Sequence, residues 1–136
     1  MRSSTTLSKQ TRVLLVDDNE GILDRAAVVL SRSYVVVGAV TDGPAAVAAD
    51  ATLRPDVIVL DISMPGMSGF EVAASLRKAC STALVIFLTV HEDEEFVRAA
   101  KAAGGIAYVV KSRLASDLTL AVSEARAGRY FVSPTR

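Results

Sequence analysis

Two adjacent aspartates, Asp17 and Asp18, close the apolar run in "VLLVDDNE", and an apolar run followed by a polar, chemically able side chain recurs along the chain. Asp61 follows Val57–Leu60, Thr89 follows Leu84–Leu88, and Lys111 follows Ile106–Val110. Brought together, three carboxylates, a hydroxyl and an ammonium would make a hard, oxygen-based site suited to magnesium, which keeps several waters and is commonly completed by phosphate oxygens. Lys111 would then meet the phosphoryl group from its other side as a compact positive charge on a flexible stem. Thr89 is short enough to donate a hydrogen bond to a phosphoryl oxygen. An aspartate can become an acyl phosphate when metal and lysine neutralise the charge that repels the incoming group. Asp61, alone at the end of its run, is the candidate nucleophile, and Asp17 with Asp18 reads as a paired metal clamp.

Each residue alone also has an ordinary explanation. Asp17 and Asp18 could cap the next helix, Thr89 could be a local cap, and Lys111 could be a surface lysine. The choice therefore turns on whether one fold gathers them.

The apolar runs Val13–Val16, Val35–Ala39, Val57–Leu60, Leu84–Leu88 and Ile106–Val110 lack a polar alternate face, as strands covered on both sides do. Helical stripes separate them: Ile22, Ala26, Val29 and Leu30; Phe70, Ala73 and Leu76 behind Ser68 and Glu71 at capping-box spacing; Phe96, Ala99, Ala100 and Ala103. A last stripe of Leu114, Leu118, Ala121, Val122 and Ala125 stops at Gly128, and a weaker helix over about residues 44–52 opens at Pro44 and closes at "LRP". Five strand–helix alternations predict an α/β domain of three layers, a doubly wound five-stranded parallel sheet of order 2-1-3-4-5, with the second and fifth strands nearer the edges. In such a sheet ligands sit beyond the carboxyl ends of the strands, where all the reactive residues fall.

"VLLVDDNE", "VIVLDISMPGMSGFE", "VIFLTV" and "GIAYVVK" together resemble the signature segments of the response-regulator receiver domain of bacterial two-component systems, over residues 12 to about 128. The resemblance implies a flavodoxin-like fold with Asp61 as phosphoacceptor. It implies Asp17, Asp18, Asp61 and the backbone carbonyl of Ser63 as magnesium ligands, and Thr89 and Lys111 as phosphoryl partners. Tyr108 would be the aromatic switch residue, a sensor histidine kinase the phosphodonor, and a homodimer or partner surface the output. The chain would be a signalling module rather than an enzyme, catalysing only its own phosphorylation and dephosphorylation. Pro65-Gly66 matches the turn after the phosphorylated strand, and it reads as a turn on its own chemistry too. Gly69 matches the start of the next helix.

Three positions bear on the finer chemistry. Ser112 stands where a proline typically follows the lysine, so the Lys111–Ser112 bond lacks proline's lower cis penalty. Val90 stands where a smaller residue is frequent and could narrow access to Asp61. His91, the single histidine, lies on the loop over the site, either as an exposed loop residue or as a group steering water or phosphodonor.

With 136 residues and 51% hydrophobic content, the chain suits one domain with one sizeable core. Residues 1–11 are expected to be a flexible tail, 12–128 the receiver, and 129–136 a tail or the start of a linker. "EARAGRYFVSP" resembles the last helix and linker start of the NarL/FixJ class, whose receivers usually precede a DNA-binding domain that this sequence does not include. Fifteen basic and fifteen acidic residues cancel, and no basic stripe suggests DNA binding by this chain alone. The single cysteine, Cys80, excludes an intramolecular disulfide and fits a reducing, cytoplasmic setting; no apolar run approaches a membrane span. A dinucleotide enzyme is disfavoured because no G-x-G-x-x-G follows the first strand, and a nucleotide-triphosphate enzyme because no glycine-rich lysine loop appears.

Overall fold

The structure, a computed structural model, describes residues 10–134; the tail expected over 1–11 therefore lies outside the described residues up to residue 9, as do the last two positions. Strands β1 (Arg12–Val16), β2 (Val35–Val40), β3 (Val57–Leu60), β4 (Leu84–Thr89) and β5 (Gly105–Val110) alternate with helices α1 (Glu20–Leu30), α2 (Gly43–Leu53), α3 (Gly69–Lys78), α4 (Glu94–Ala102) and α5 (Leu114–Arg126). A short strand β6 (Phe131–Val132) follows, and the sheet runs β2-β1-β3-β4-β5-β6, parallel throughout. The first five strands thus take the 2-1-3-4-5 order expected from the pattern. The sixth was not expected, and it covers the outer edge of β5.

Alternation along each strand feeds two cores. Val13, Leu15, Val57, Val59, Ile86, Leu88 and Val109 pack with Leu23 of α1 and Leu118 of α5. Leu14, Val16, Ile58, Leu60, Phe87 and Tyr108 pack on the other face with Ala46 of α2, Val72 of α3 and Ala100 of α4. All four residues of β3 are buried, whereas β2 is only partly covered, in keeping with the second run's expected place at an edge.

Local chemistry sets the helix ends. Ser68 and Glu71 form the capping box, with Ser68 N donating to Glu71 Oε1 at 2.8 Å and Glu71 N to Ser68 Oγ at 3.2 Å. Asp42 caps α2 through Ala45 N at 2.8 Å, with Pro44 in the first turn, and Arg54 in the left-handed region at φ 48° ends it within "LRP". The register delivers the reactive residues together. Val16 pairs with Leu60, Asp61 N donates to Val16 O at 3.0 Å, and Thr89 pairs with Val110, the residue before Lys111.

Candidate functional site

At the carboxyl rim of β1 and β3, one oxygen from each of Asp17, Asp18 and Asp61 lies within 4.8 Å of the others. Asp17 and Asp61 are 2% and 3% exposed, while Asp18 faces solvent. The Lys111 ammonium stands 2.8 Å from Asp17 Oδ2 and 3.4 Å from Asp61 Oδ2. Although that approach is close, no hydrogen-bond donor is aligned on Asp17 Oδ2. Asp17 Oδ1 accepts from Asn19 N at 2.9 Å. The capping role open to the aspartates falls instead to Asn19, whose Oδ1 accepts from Ile22 N at 3.1 Å. Two buried carboxylates thus converge beside a third, and the first-turn N–H of the following helix is met by Asn19 rather than by either aspartate.

Burial raises the Asp61 carboxyl from 3.8 to about 6, the Asp17 charge adds to the rise, and Lys111 and the Ser63 N–H work against it. That N–H points at Asp61 Oδ1 from 3.4 Å, a long contact. The loop holding Asp61 leaves no room for a side chain at Gly69, where a Cβ would collide with the Asp61 carbonyl, and Gly69 N donates to Ile62 O at 2.7 Å. Gly66, at φ 83°, supplies the left-handed residue of the turn read from Pro65-Gly66.

Thr89 is fully buried at the carboxyl end of β4, and its hydroxyl accepts from His91 N at 3.2 Å, so it does make a local turn bond. His91 bridges to the loop after β3, its Nε2 2.8 Å from Ser63 Oγ, while its ring stacks on Phe96 with centroids 3.9 Å apart. Its main-chain carbonyl accepts from the Tyr108 hydroxyl at 2.8 Å. Tyr108 is fully buried, and burial, followed by the Asp93 and Tyr130 charges, pushes its hydroxyl up to about 12. The ring of the expected aromatic switch therefore already lies inside, tied to the β4–α4 loop. Val90 is 62% exposed. No peptide bond among the described residues is cis, so Lys111 reaches both carboxylates from a trans bond to Ser112, within the 3-10 turn Lys111–Arg113.

A family model described as the response regulator receiver domain matches residues 13–123. The chain belongs to that family. The receiver is 33% identical over 124 residues to the nitrate/nitrite response regulator protein NarL of Escherichia coli K12, covering 89% of this chain and 57% of that protein. It is 33% identical over 119 residues to the transcriptional regulatory protein LiaR of Bacillus subtilis, covering 86% of this chain and 56% of that protein. Among solved structures it is similar to a LuxR-family two-component response regulator from Aurantimonas, with TM-score 0.87 and 30% identity, over 93% of this chain and 91% of that one. The chain thus spans a little over half the length of these curated relatives. It is a receiver domain of the NarL/LuxR class of response regulators, a class that typically controls transcription. No helix among the described residues is long and apolar enough to cross a membrane.

Three groups at or beside the site were not legible as such. Ser133 and Asp117, both buried, tie β6 and α5 to the strand that leads into Lys111. The signal available was the serine of "YFVSP", which follows an apolar pair like a strand end, and an aspartate inside an apolar helix stripe. Asn19 was overshadowed by the two aspartates before it.

Proposed function

We propose that this receiver accepts a phosphoryl group on Asp61 in a magnesium-dependent reaction, with a sensor histidine kinase as donor, and thereby alters the face built from α4, β5 and α5. The observation that carries the reading is the Lys111 ammonium seated between two nearly buried carboxylates, with a third, solvent-facing carboxylate beside them. A surface ion pair has no need of the additional acid. The donor set fits magnesium: it is oxygen throughout, it brings mutually repelling charges together, and Asp17 Oδ2 has a lone pair with no aligned donor. Asp17, Asp18 and Asp61, with the Ser63 carbonyl, would hold the ion, which supplies positive charge where an anionic carboxylate must approach an anionic phosphoryl group.

An Asp61 oxygen attacks phosphorus, the bond from phosphorus to the donor imidazole nitrogen breaks, and that nitrogen keeps the electron pair and takes up a proton. The product is an aspartyl acyl phosphate. The Lys111 ammonium moves from its two-carboxylate contact toward the new oxygens. The Thr89 hydroxyl, which now accepts from His91 N, turns to donate to one of them. That exchange changes the loop to which Tyr108 and Phe96 are bound, and so the face carrying α4 and β5. A second copy of the chain or an output domain would read that face; in a longer protein of the NarL/LuxR class the consequence would be control of transcription. The test is intact-mass measurement with acetyl phosphate, with and without magnesium, on the parent and Asp61→Asn. A gain of one phosphoryl group by the parent with magnesium alone supports the reading; the same gain in Asp61→Asn refutes it.

A further inference from the structure

The backbone on both sides of Lys111 is tied down by groups outside the acidic cluster. Val110, just before it, donates its N–H to Ser133 Oγ at 3.2 Å. Arg113, two residues after it, reaches Asp117 with Nε at 2.8 Å and a second nitrogen at 3.4 Å. The two ties meet on one carboxylate, because Ser133 Oγ donates to Asp117 Oδ2 at 2.7 Å and Ser116 Oγ lies 2.9 Å from Oδ1.

Ser133 is 1% exposed and Asp117 4%. The Ser133 N–H donates to Tyr108 O at 2.8 Å, so the hydroxyl is held by the same strand whose end it serves. A buried carboxylate is costly unless charge and hydrogen bonds compensate it, and here a guanidinium and two hydroxyls do. None of these groups touches Asp61 in the contacts described above. Ser112, lacking a proline ring, leaves the turn after Lys111 free to vary unless something else restrains it. A lysine ammonium on a four-carbon stem is placed only as well as the backbone beneath it.

We infer that Ser133 and Asp117 are positioning residues for Lys111, bracing the turn from both ends so that its ammonium stays between Asp17 and Asp61. The inference rests on the function proposed above for Lys111. It makes the segment after α5 part of the site's support.

The experiment compares the parent, Ser133→Ala, Lys111→Met and the double variant in the rate of mass gain from acetyl phosphate with magnesium, and follows hydrogen exchange of the amides of residues 110–113. Loss of one buried hydroxyl should slow the parent's phosphorylation by up to about tenfold, the scale of one displaced hydrogen bond. It should cost nothing further once Lys111 is Met, because the brace acts through that side chain; a general loosening would slow both backgrounds alike. Exchange at 110–113 should rise by about the same factor in Ser133→Ala. An unchanged rate in Ser133→Ala, or an equal loss with and without Lys111, overturns the inference. Should the parent gain no phosphoryl group, the proposed function fails, and the exchange data then decide the brace: unchanged exchange refutes it, faster exchange upholds it.

Discussion

Lys111→Met removes the cation from between two buried carboxylates while keeping most of the side chain's volume. At an effective dielectric near 20, a pair at 2.8 Å attracts by about 6 kcal/mol and one at 3.4 Å by about 5 kcal/mol before desolvation is charged against them. Desolvation of the ions cancels much of that, but the variant is left with two like charges facing each other, and breaking a buried pair in this way costs about 3–5 kcal/mol. The lower end applies because the mouth is open on the Asp18 side, so the expected loss is about 3 kcal/mol, or roughly 10 °C in Tm for a chain of this size. The loss has a defined pH dependence. A carboxyl whose folded pKa lies above its unfolded value costs stability when ionised, and that cost fades as pH falls through the folded pKa. With Asp61 at about 6 in the parent, and higher once Lys111 no longer pulls it down, the deficit of Lys111→Met should be full near pH 8 and shrink toward pH 5. Magnesium at a hundredfold excess over its Kd should return about 2.7 kcal/mol. Urea unfolding at both pH values, with chelator and with magnesium, reads all three effects. A loss under about 0.5 kcal/mol at pH 8 without metal, or a variant whose own stability magnesium leaves unchanged, would show that Lys111 balances no buried charge there.

Asp18→Asn should weaken magnesium binding at least tenfold while leaving the metal-free protein as stable or slightly more so, since the carboxylate is exposed and relief of repulsion is its main structural effect; a magnesium titration matching the parent would contradict this. Burial alone would raise the Asp117 carboxyl, but the hydrogen bonds from Arg113, Ser133 and Ser116 outweigh it and hold it below 3.8. Its stabilisation is therefore complete above that value and lost as pH falls through the lowered pKa. Asp117→Asn should cost about 1–3 kcal/mol at neutral pH and narrow its gap to the parent in acid, and a gap independent of pH would argue against the assignment. Thr89→Ala should still accept a phosphoryl group but lose much of the response in residues 92–127 to beryllofluoride; a full parental pattern of NMR shift changes would break the proposed link through His91 and Tyr108.

The strand order and the rim were legible because both depend on short-range pattern: apolar runs of β1, β3 and β4 announce buried strands, and each ends on the residue that the parallel register then sets beside its neighbours. Ser68 and Glu71 were readable for the same reason, since a capping box is a contact between residues three apart. β6 was not readable. A strand of two residues has no period to detect, and it is held by Ser133 reaching Tyr108, Val110 and Asp117, partners 16 to 25 positions away. Tyr108 was placed near an edge because the strand that covers it could not be seen. The Ser63–His91 bridge escaped for a similar reason, since loop side chains 28 residues apart meet only after the sheet has set β3 and β4 side by side.

Borohydride trapping identifies which carboxylate takes the phosphoryl group. Protein treated with acetyl phosphate and magnesium is reduced, which converts an aspartyl acyl phosphate to homoserine, and is then digested and mapped by mass spectrometry. Homoserine is expected at position 61, absent without magnesium and absent without the donor. Homoserine at Asp17 or Asp18 instead, or an unmodified Asp61 in protein whose intact mass had risen by one phosphoryl group, would contradict Asp61 as the acceptor.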